Sequence, residues 1–247
     1  MSTVGWFEII ATEPELGKQF YQRIFDWQFR SFGDELATVT APGAAAPMGA
    51  LSRGERDALW IGVVDADVAA TAPRLESLGA TIIQPPERTA AGYTQAVVAD
   101  VRGNLIGLYQ PAAQENSPTG PPVPNSTAWF EIGTTDFAAT REFYERAFGW
   151  SYERDEAAEG VAYYSVRSEQ SPEPSGGTMD LAAIAGAADY AIPGLMVTDV
   201  ADLLRRCESA GGGRVLDPIT DGNGVVVGQF TDPFGNRWSA FAPPANS

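Results

Sequence analysis

The 247-residue chain contains no histidine and only one cysteine, Cys207. Without imidazole there can be no nucleophile–histidine triad and no nitrogen-ligated iron, zinc or nickel centre. A single thiol builds neither an internal disulfide framework nor a cysteine-based zinc cluster. Cys207 lies in "ADLLRRCESAGG", whose apolar spacing predicts a packed position on a helix. Basic residues are scarce, 16 against 32 acidic ones, and the resulting charge of −16 would repel a nucleic-acid backbone. No apolar run approaches the roughly 20 residues that cross a bilayer. The first residues, "MSTVGWFEII", lack the basic start and apolar core of a secretion signal. No phosphate-cradling glycine loop follows a strand and no Gly-x-Ser-x-Gly elbow occurs, "GGG" at 211–213 reading as a helix stop and turn. These absences leave a cytoplasmic protein, monomer or homodimer, whose partner is a small molecule and neither nucleic acid nor membrane.

What the chain does contain, it contains twice. "WFEIIATEPELGKQFYQRIFDW" at residues 6–27 returns as "WFEIGTTDFAATREFYERAFGW" at 129–150, a constant offset of 123. A weaker echo, "GYTQAVVADVRGNLIGLYQP" from Gly92 and "GVVVGQFTDPFGNRWSAFAP" from Gly224, is offset by 132. The nine additional residues are expected in "EQSPEPSGG", 169–177. Between the copies, Pro, Gly, Ser and Asn displace apolar residues in "PAAQENSPTGPPVPNS". Such a composition predicts an extended, semi-stiff connection. The boundaries are therefore 1–112 for one domain, 113–125 for a Pro-rich linker and 126–247 for the second domain.

Each half divides again. "WFEII" has strand character, and "EPELGKQFYQRIF" spaces Leu16, Phe20 and Ile24 as one face of a helix entered at Pro14. Short β segments follow, including "ELATVT" and "APMGAL". "LWIGVVDAD" then starts a second strand–helix unit that closes through "TQAVVAD", a turn ("DVRGN", or "DPFGN" in the other half) and "NLIGLY". The fold class is α+β, with four βαβββ modules forming two domains in tandem.

The Phe-Tyr helix and the Asp-x-x-Gly-Asn turn, each present twice, resemble the vicinal oxygen chelate superfamily. That superfamily includes glyoxalase I, extradiol dioxygenases, methylmalonyl-CoA epimerase and bleomycin-type resistance proteins. The resemblance covers nearly the whole chain outside the linker and implies sheets curled into cups. It also implies metal-ligand positions on the first and last strands, which fall here on Trp6 and Trp129 and on Gly107 and Ser239. A further position falls near Leu59 or Trp60 and near Ala191 or Ile192. None of these side chains holds a divalent transition metal, so no cofactor is expected. A hard-ion site on Glu8 or Glu131 with Gln95 and backbone oxygens is the alternative.

Strand alternation places Trp6, Glu8 and Ile10 on one face, and Phe7 and Ile9 on the other, toward Phe20 and Tyr21 of the helix. By the resemblance the Trp6 face is concave. Each cup then presents an indole and a carboxyl group. Trp6, Trp60 and Trp129 either stack on a ligand or fill an unused hollow, while Trp27 and Trp150 read as packing residues. Glu8 and Glu131 either move a proton or fix the sheet by accepting hydrogen bonds. Arg237 and Ser239 share a face, and Arg237 either anchors an anionic ligand or neutralises Glu131. Tyr93, Gln95 and Tyr109 supply neutral hydrogen-bonding groups to the first cup only, because Val225, Val227 and Phe241 replace them in the second. Two functions follow. One is a metal-independent lyase, isomerase or cyclase acting on a small apolar or aromatic metabolite, in secondary metabolism. The other is a non-catalytic, antibiotic-resistance type of protein that stacks its ligand on tryptophan.

Overall fold

The structure is a computed structural model and describes residues 3–112, 121–158, 160–169, 171 and 173–244. Residues 113–120 of the expected linker, and 170 and 172 of the expected insertion, lie outside the described residues. The first half runs β1 (Thr3–Ala11), α1 (Pro14–Phe25), β2 (Gln28–Ser31), β3 (Leu36–Thr40) and β4 (Gly49–Arg53). It continues through β5 (Ala58–Val64), α2 (Val68–Ser77), β6 (Thr81–Arg88), β7 (Thr94–Ala99) and β8 (Leu105–Gln110). The second half repeats this order as β9 (Ser126–Thr134), α3 (Phe137–Phe148), β10 (Ser151–Arg154), β11 (Ala162–Arg167) and β12 (Gly176–Asp180). Its last elements are β13 (Tyr190–Met196), α4 (Val200–Ser209), β14 (Gly213–Thr220), β15 (Val226–Thr231) and β16 (Arg237–Ala242). Asp67, Asp136 and Asp199 start α2, α3 and α4 by accepting the backbone N–H three residues on, and α1 instead begins at Pro14.

Strands pair within halves, giving two eight-stranded sheets ordered β2-β3-β4-β1-β5-β8-β7-β6 and β10-β11-β12-β9-β13-β16-β15-β14. The register locates the nine additional residues. Gln28 and Ser151 are 123 apart, but Thr38 and Ser165, like Ala50 and Gly177, are 127 apart, and Trp60 and Ile192 are 132 apart. Four residues therefore lengthen the loop between β10 and β11 and five the loop between β12 and β13. The expected insertion at 169–177 is thus corrected: its Pro- and Gly-rich composition marks an ordinary strand connection.

The helix-facing sides of the two sheets share their cores across the domain boundary. Phe7, Ile9, Phe20 and Phe25 pack with Leu203, Leu204, Cys207, Phe230 and Trp238, so α1 and α4 occupy one core. Residues of α2 and α3 meet in the other. Trp27 and Trp150 are buried in these cores, as their packing role predicts. Polar contacts cross the boundary reciprocally. The Tyr21 hydroxyl of α1 donates to Asp232 in the β15–β16 turn, and Tyr144 of α3 donates to Asp100 in the β7–β8 turn, at 2.5 and 2.8 Å. Arg206 caps the Ile24 carbonyl of α1 at 2.6 Å, and Arg74 caps the Ala147 carbonyl of α3 at 2.8 Å. The C-terminal end of the linker is tied down too, with the Trp27 indole donating to Asn125 O at 2.7 Å.

Candidate functional site

With the helices on one side of each sheet, the residues two apart on the other side form a hollow. In the first hollow Trp6 and Glu8 face Gly62 and Trp60 of β5 across an antiparallel register, and Gly107 of β8 stands next to Gly62. The glycines are required there. A Cβ at Gly62 would lie 2.8 Å from Trp6, and one at Gly107 would lie 2.9 Å from Trp60, so both side chains lie against bare backbone. Leu59 and Ala191 pack toward the helix-side cores, so of the paired alternatives only Trp60 and Ile192 face the hollows.

The first hollow is filled by its own side chains. Trp6 is 4% exposed, stacked at 4.0 Å on Tyr109 and edge-on to Tyr93 at 5.3 Å. Phe32 and Ala91 pack over this cluster from the two ends of the sheet. Trp6 thus fills the hollow, with Tyr109 covering one face of its ring. Tyr93 and Tyr109 serve there as ring partners, and Trp60 is also buried. Beneath them Glu8 is 1% exposed and accepts a 2.6 Å hydrogen bond from Ser52 on Oε1, while among the described residues Oε2 has no hydrogen-bond partner. Burial pushes its carboxyl up to about 7, against the opposing influence of Ser52 and of the nearby Gln95 amide.

The second hollow differs. Trp129, Tyr163, Tyr190 and Arg237 are only half-buried. Tyr190 lies over Gly133 and Tyr163 over Gly177, where a Cβ would come within 2.2 and 2.0 Å of the respective rings. The Trp129 indole donates to the Tyr163 hydroxyl at 3.0 Å. Glu131 accepts two hydrogen bonds on one oxygen, Oε1, from the Tyr190 hydroxyl at 2.5 Å and the Gln229 amide at 2.8 Å. Among the described residues Oε2 accepts none. Arg237 in turn donates through Nε and Nη2 to Gln229 Oε1, and its guanidinium lies 4.0 Å from the Tyr190 ring centroid. Burial raises the Glu131 pKa, while Tyr190, the Arg237 charge and Gln229 oppose the rise. Arg237 therefore acts on Glu131 through its charge, while its hydrogen bonds go to Gln229. Ser239, opposite Gln229 and Gly194, is buried in the same wall.

The lengthened β10–β11 loop crosses the rim of this hollow, where Gly222 N of the β14–β15 turn donates to Ala157 O at 3.0 Å. A cavity of about 420 Å³ opens beside it, lined by Ser165, Arg167, Glu153, the 155–157 loop and Asn223. The polar set expected in the first half alone is thus matched in the second by Tyr163, Tyr190 and Gln229. Repeat alignment missed them because Gln229 lies one pleat along from the position equivalent to Gln95. The one legible signal was the second tyrosine-rich strand, "AYYSVR".

A family model for the Glyoxalase/Bleomycin resistance protein/Dioxygenase superfamily matches residues 3–108 and 126–240. The chain belongs to this superfamily. Both glyoxalase-like domains match, one for each eight-stranded sheet. No curated protein sequence matches the chain. Among solved structures, it is similar to a Mn(II)-bound glyoxalase from Novosphingobium aromaticivorans, with TM-score 0.68, 14% identity, and coverage of 98% of this chain and 83% of that one. The 2,3-dioxygenase LapB from Pseudomonas sp. KL28 gives 0.67, 13%, 98% and 92%. A variant of homoprotocatechuate 2,3-dioxygenase from B. fuscum gives 0.66, 13%, 96% and 70%. At these identities the likeness is one of fold.

The described residues of the second hollow do not fit a divalent transition metal. The second hollow offers one carboxylate, already hydrogen-bonded twice, beside a serine, an amide and a cationic arginine. Among the described residues no three His, Cys, Asp or Glu side chains form an ion-binding group. No described helix is long and apolar enough to cross a membrane.

Proposed function

We propose that the second hollow is the working site and that it moves protons on a small, flat, largely apolar molecule, in a reaction of the lyase, isomerase or cyclase type. The observation that carries this reading is the one-sided fixation of Glu131: Tyr190 and Gln229 hold Oε1, and among the described residues Oε2 accepts no hydrogen bond. A carboxylate anchored in this way keeps one oxygen oriented for a substrate C–H or O–H. Its raised pKa makes it a stronger base for that proton, and its fixed position lets the same oxygen hand the proton back. In an isomerisation Oε2 takes the proton from one carbon as the double bond shifts, then returns it to another. In an elimination the proton taken balances the group that leaves. Trp129, Tyr163 and Tyr190 supply ring surfaces suited to an aromatic ligand. In this reading Ser239 and the Arg237 guanidinium orient a polar edge. Glu8, sealed beneath Trp6, serves the first sheet as a structural counterpart.

The test is deuterium wash-in from D₂O into a panel of aromatic and polycyclic carbonyl compounds, read by mass spectrometry. Glu131→Gln should slow exchange by about 10²–10⁴-fold, with ligand affinity nearly kept, while Glu8→Gln exchanges at the wild-type rate. Undiminished exchange by the Glu131→Gln protein would remove Glu131 from the mechanism. The second reading, sequestration without chemistry, draws support from the half-buried Trp129 ring. It requires that a compound saturably quenching tryptophan fluorescence be recovered unchanged and without deuterium, and that Trp129→Ala weaken its binding.

A further inference from the structure

Away from both hollows, a small cavity of about 230 Å³ lies between the C-terminal turns of α1 and α4, lined by Arg23, Ile24, Arg205, Arg206 and Ser209. Three of the chain's 16 basic residues line it, and no acidic residue does, in a protein whose net charge is −16. Asp202 pairs with Arg205 and Arg206, both at 2.8 Å. Arg23 forms no ion pair among the described residues. The lining therefore holds an uncompensated positive charge.

The internal repeat provides a control for how such a corner is built when it only closes a helix. The equivalent corner joins α3 to α2, where Arg146 and Arg74 stand for Arg23 and Arg206. There Arg146 is paired with Glu142 at 3.4 Å, and Pro73 occupies the place of Arg205. In the α1–α4 corner Gln19 replaces that glutamate and Arg205 replaces that proline. Both differences add positive charge, and Asp202 in place of Ala70 offsets one of them, so this corner keeps one net positive charge more than its counterpart. Capping is common to the two corners, since Arg206 holds Ile24 O as Arg74 holds Ala147 O. The excess charge at one corner thus goes beyond what carbonyl capping and helix-dipole compensation require.

We propose that this corner binds a phosphate group of a small soluble molecule. Guanidinium groups grip phosphate oxygens through paired, charge-assisted hydrogen bonds. The cavity is smaller than the roughly 300–1,000 Å³ of drug-sized pockets, which suits a compact anion. The Ser209 hydroxyl adds a neutral group to the lining. The site is independent of the chemistry assigned to the second hollow.

Isothermal titration with inorganic diphosphate, against sodium chloride of matched ionic strength, tests the proposal. Saturable binding is expected for the wild-type chain. It should weaken roughly tenfold or more in the Arg23→Gln, Arg205→Gln double variant. Arg206 is left in place because it caps α1, and both substituted side chains are exposed, so the fold is retained. Arg146→Gln, at the opposite corner, should bind as wild type does. Binding that matches sodium chloride, or that is unchanged in the double variant, or that falls equally in the Arg146→Gln protein, would overturn the assignment.

Discussion

Glu8 and Glu131 hold equivalent places on β1 and β9, yet their surroundings differ enough to separate their titration. Glu8 is sealed, and burial brings its pKa to about 7 from an ordinary 4.5. A carboxyl that holds its proton more tightly in the folded state favours folding below the unfolded value and loses that contribution as pH rises through the folded one. Between pH 4.5 and 7 the loss comes to about 3 kcal/mol. Glu8→Gln removes it, so the variant should gain on wild type by that order as pH rises from 4.5 to above 7, measured by urea unfolding at both ends. A gap independent of pH would mean that Glu8 ionises inside the fold without penalty. At Glu131 the Arg237 charge acts in the lowering direction. Arg237→Met should therefore raise the pH at which Glu131 titrates, observed by NMR with ¹³C-labelled glutamate carboxyls. The two carboxyls and the neighbouring indoles were legible from strand alternation in "WFEI". Gln229 and Tyr190 were not, because a cross-strand partner is chosen by register, and register is not written in the repeat spacing.

At the scale of the strand, the ring-lined walls depend on glycines opposite them. Gly133 accepts the Tyr190 ring and Gly177 the Tyr163 ring, both at separations no Cβ tolerates. Gly133→Ala should displace Tyr190 and with it one of the two hydrogen bonds to Glu131. The expected cost is about 1–3 kcal/mol in thermal unfolding, with a rise in the Glu131 pKa similar to that in Tyr190→Phe. An unmoved titration would show that the ring finds another route to the carboxylate. Helix and strand order followed from periodicity and from Pro14, because these are local signals. The insertion was misplaced for the same reason. Pro and Gly at 169–177 gave a strong local signal, whereas the four residues between β10 and β11 and the five between β12 and β13 carry none.

For the whole molecule, the twice-written Phe-Tyr helix and Asp-x-x-Gly-Asn turn have a use that neither half reveals alone. Each tyrosine completes the turn of the opposite domain. Tyr21→Phe and Tyr144→Phe should each cost about 1.5–3 kcal/mol, the usual worth of a hydrogen bond to a charged group. Because both cores are shared between domains, calorimetry should show one unfolding transition that moves to lower temperature without splitting. Two resolved transitions in either variant would mean that the domains are energetically separate.

The exchange of tyrosines is self-complementary. Residues 3–112 alone carry both members of the pair, Tyr21 and Asp100, together with Arg74 and the Ile24 carbonyl, so two such fragments set about a twofold axis would close every one of these bonds. In this respect the tethered chain has the geometry of a homodimer joined through its linker, with one hollow sealed by its own rings and the other lined by half-buried ones.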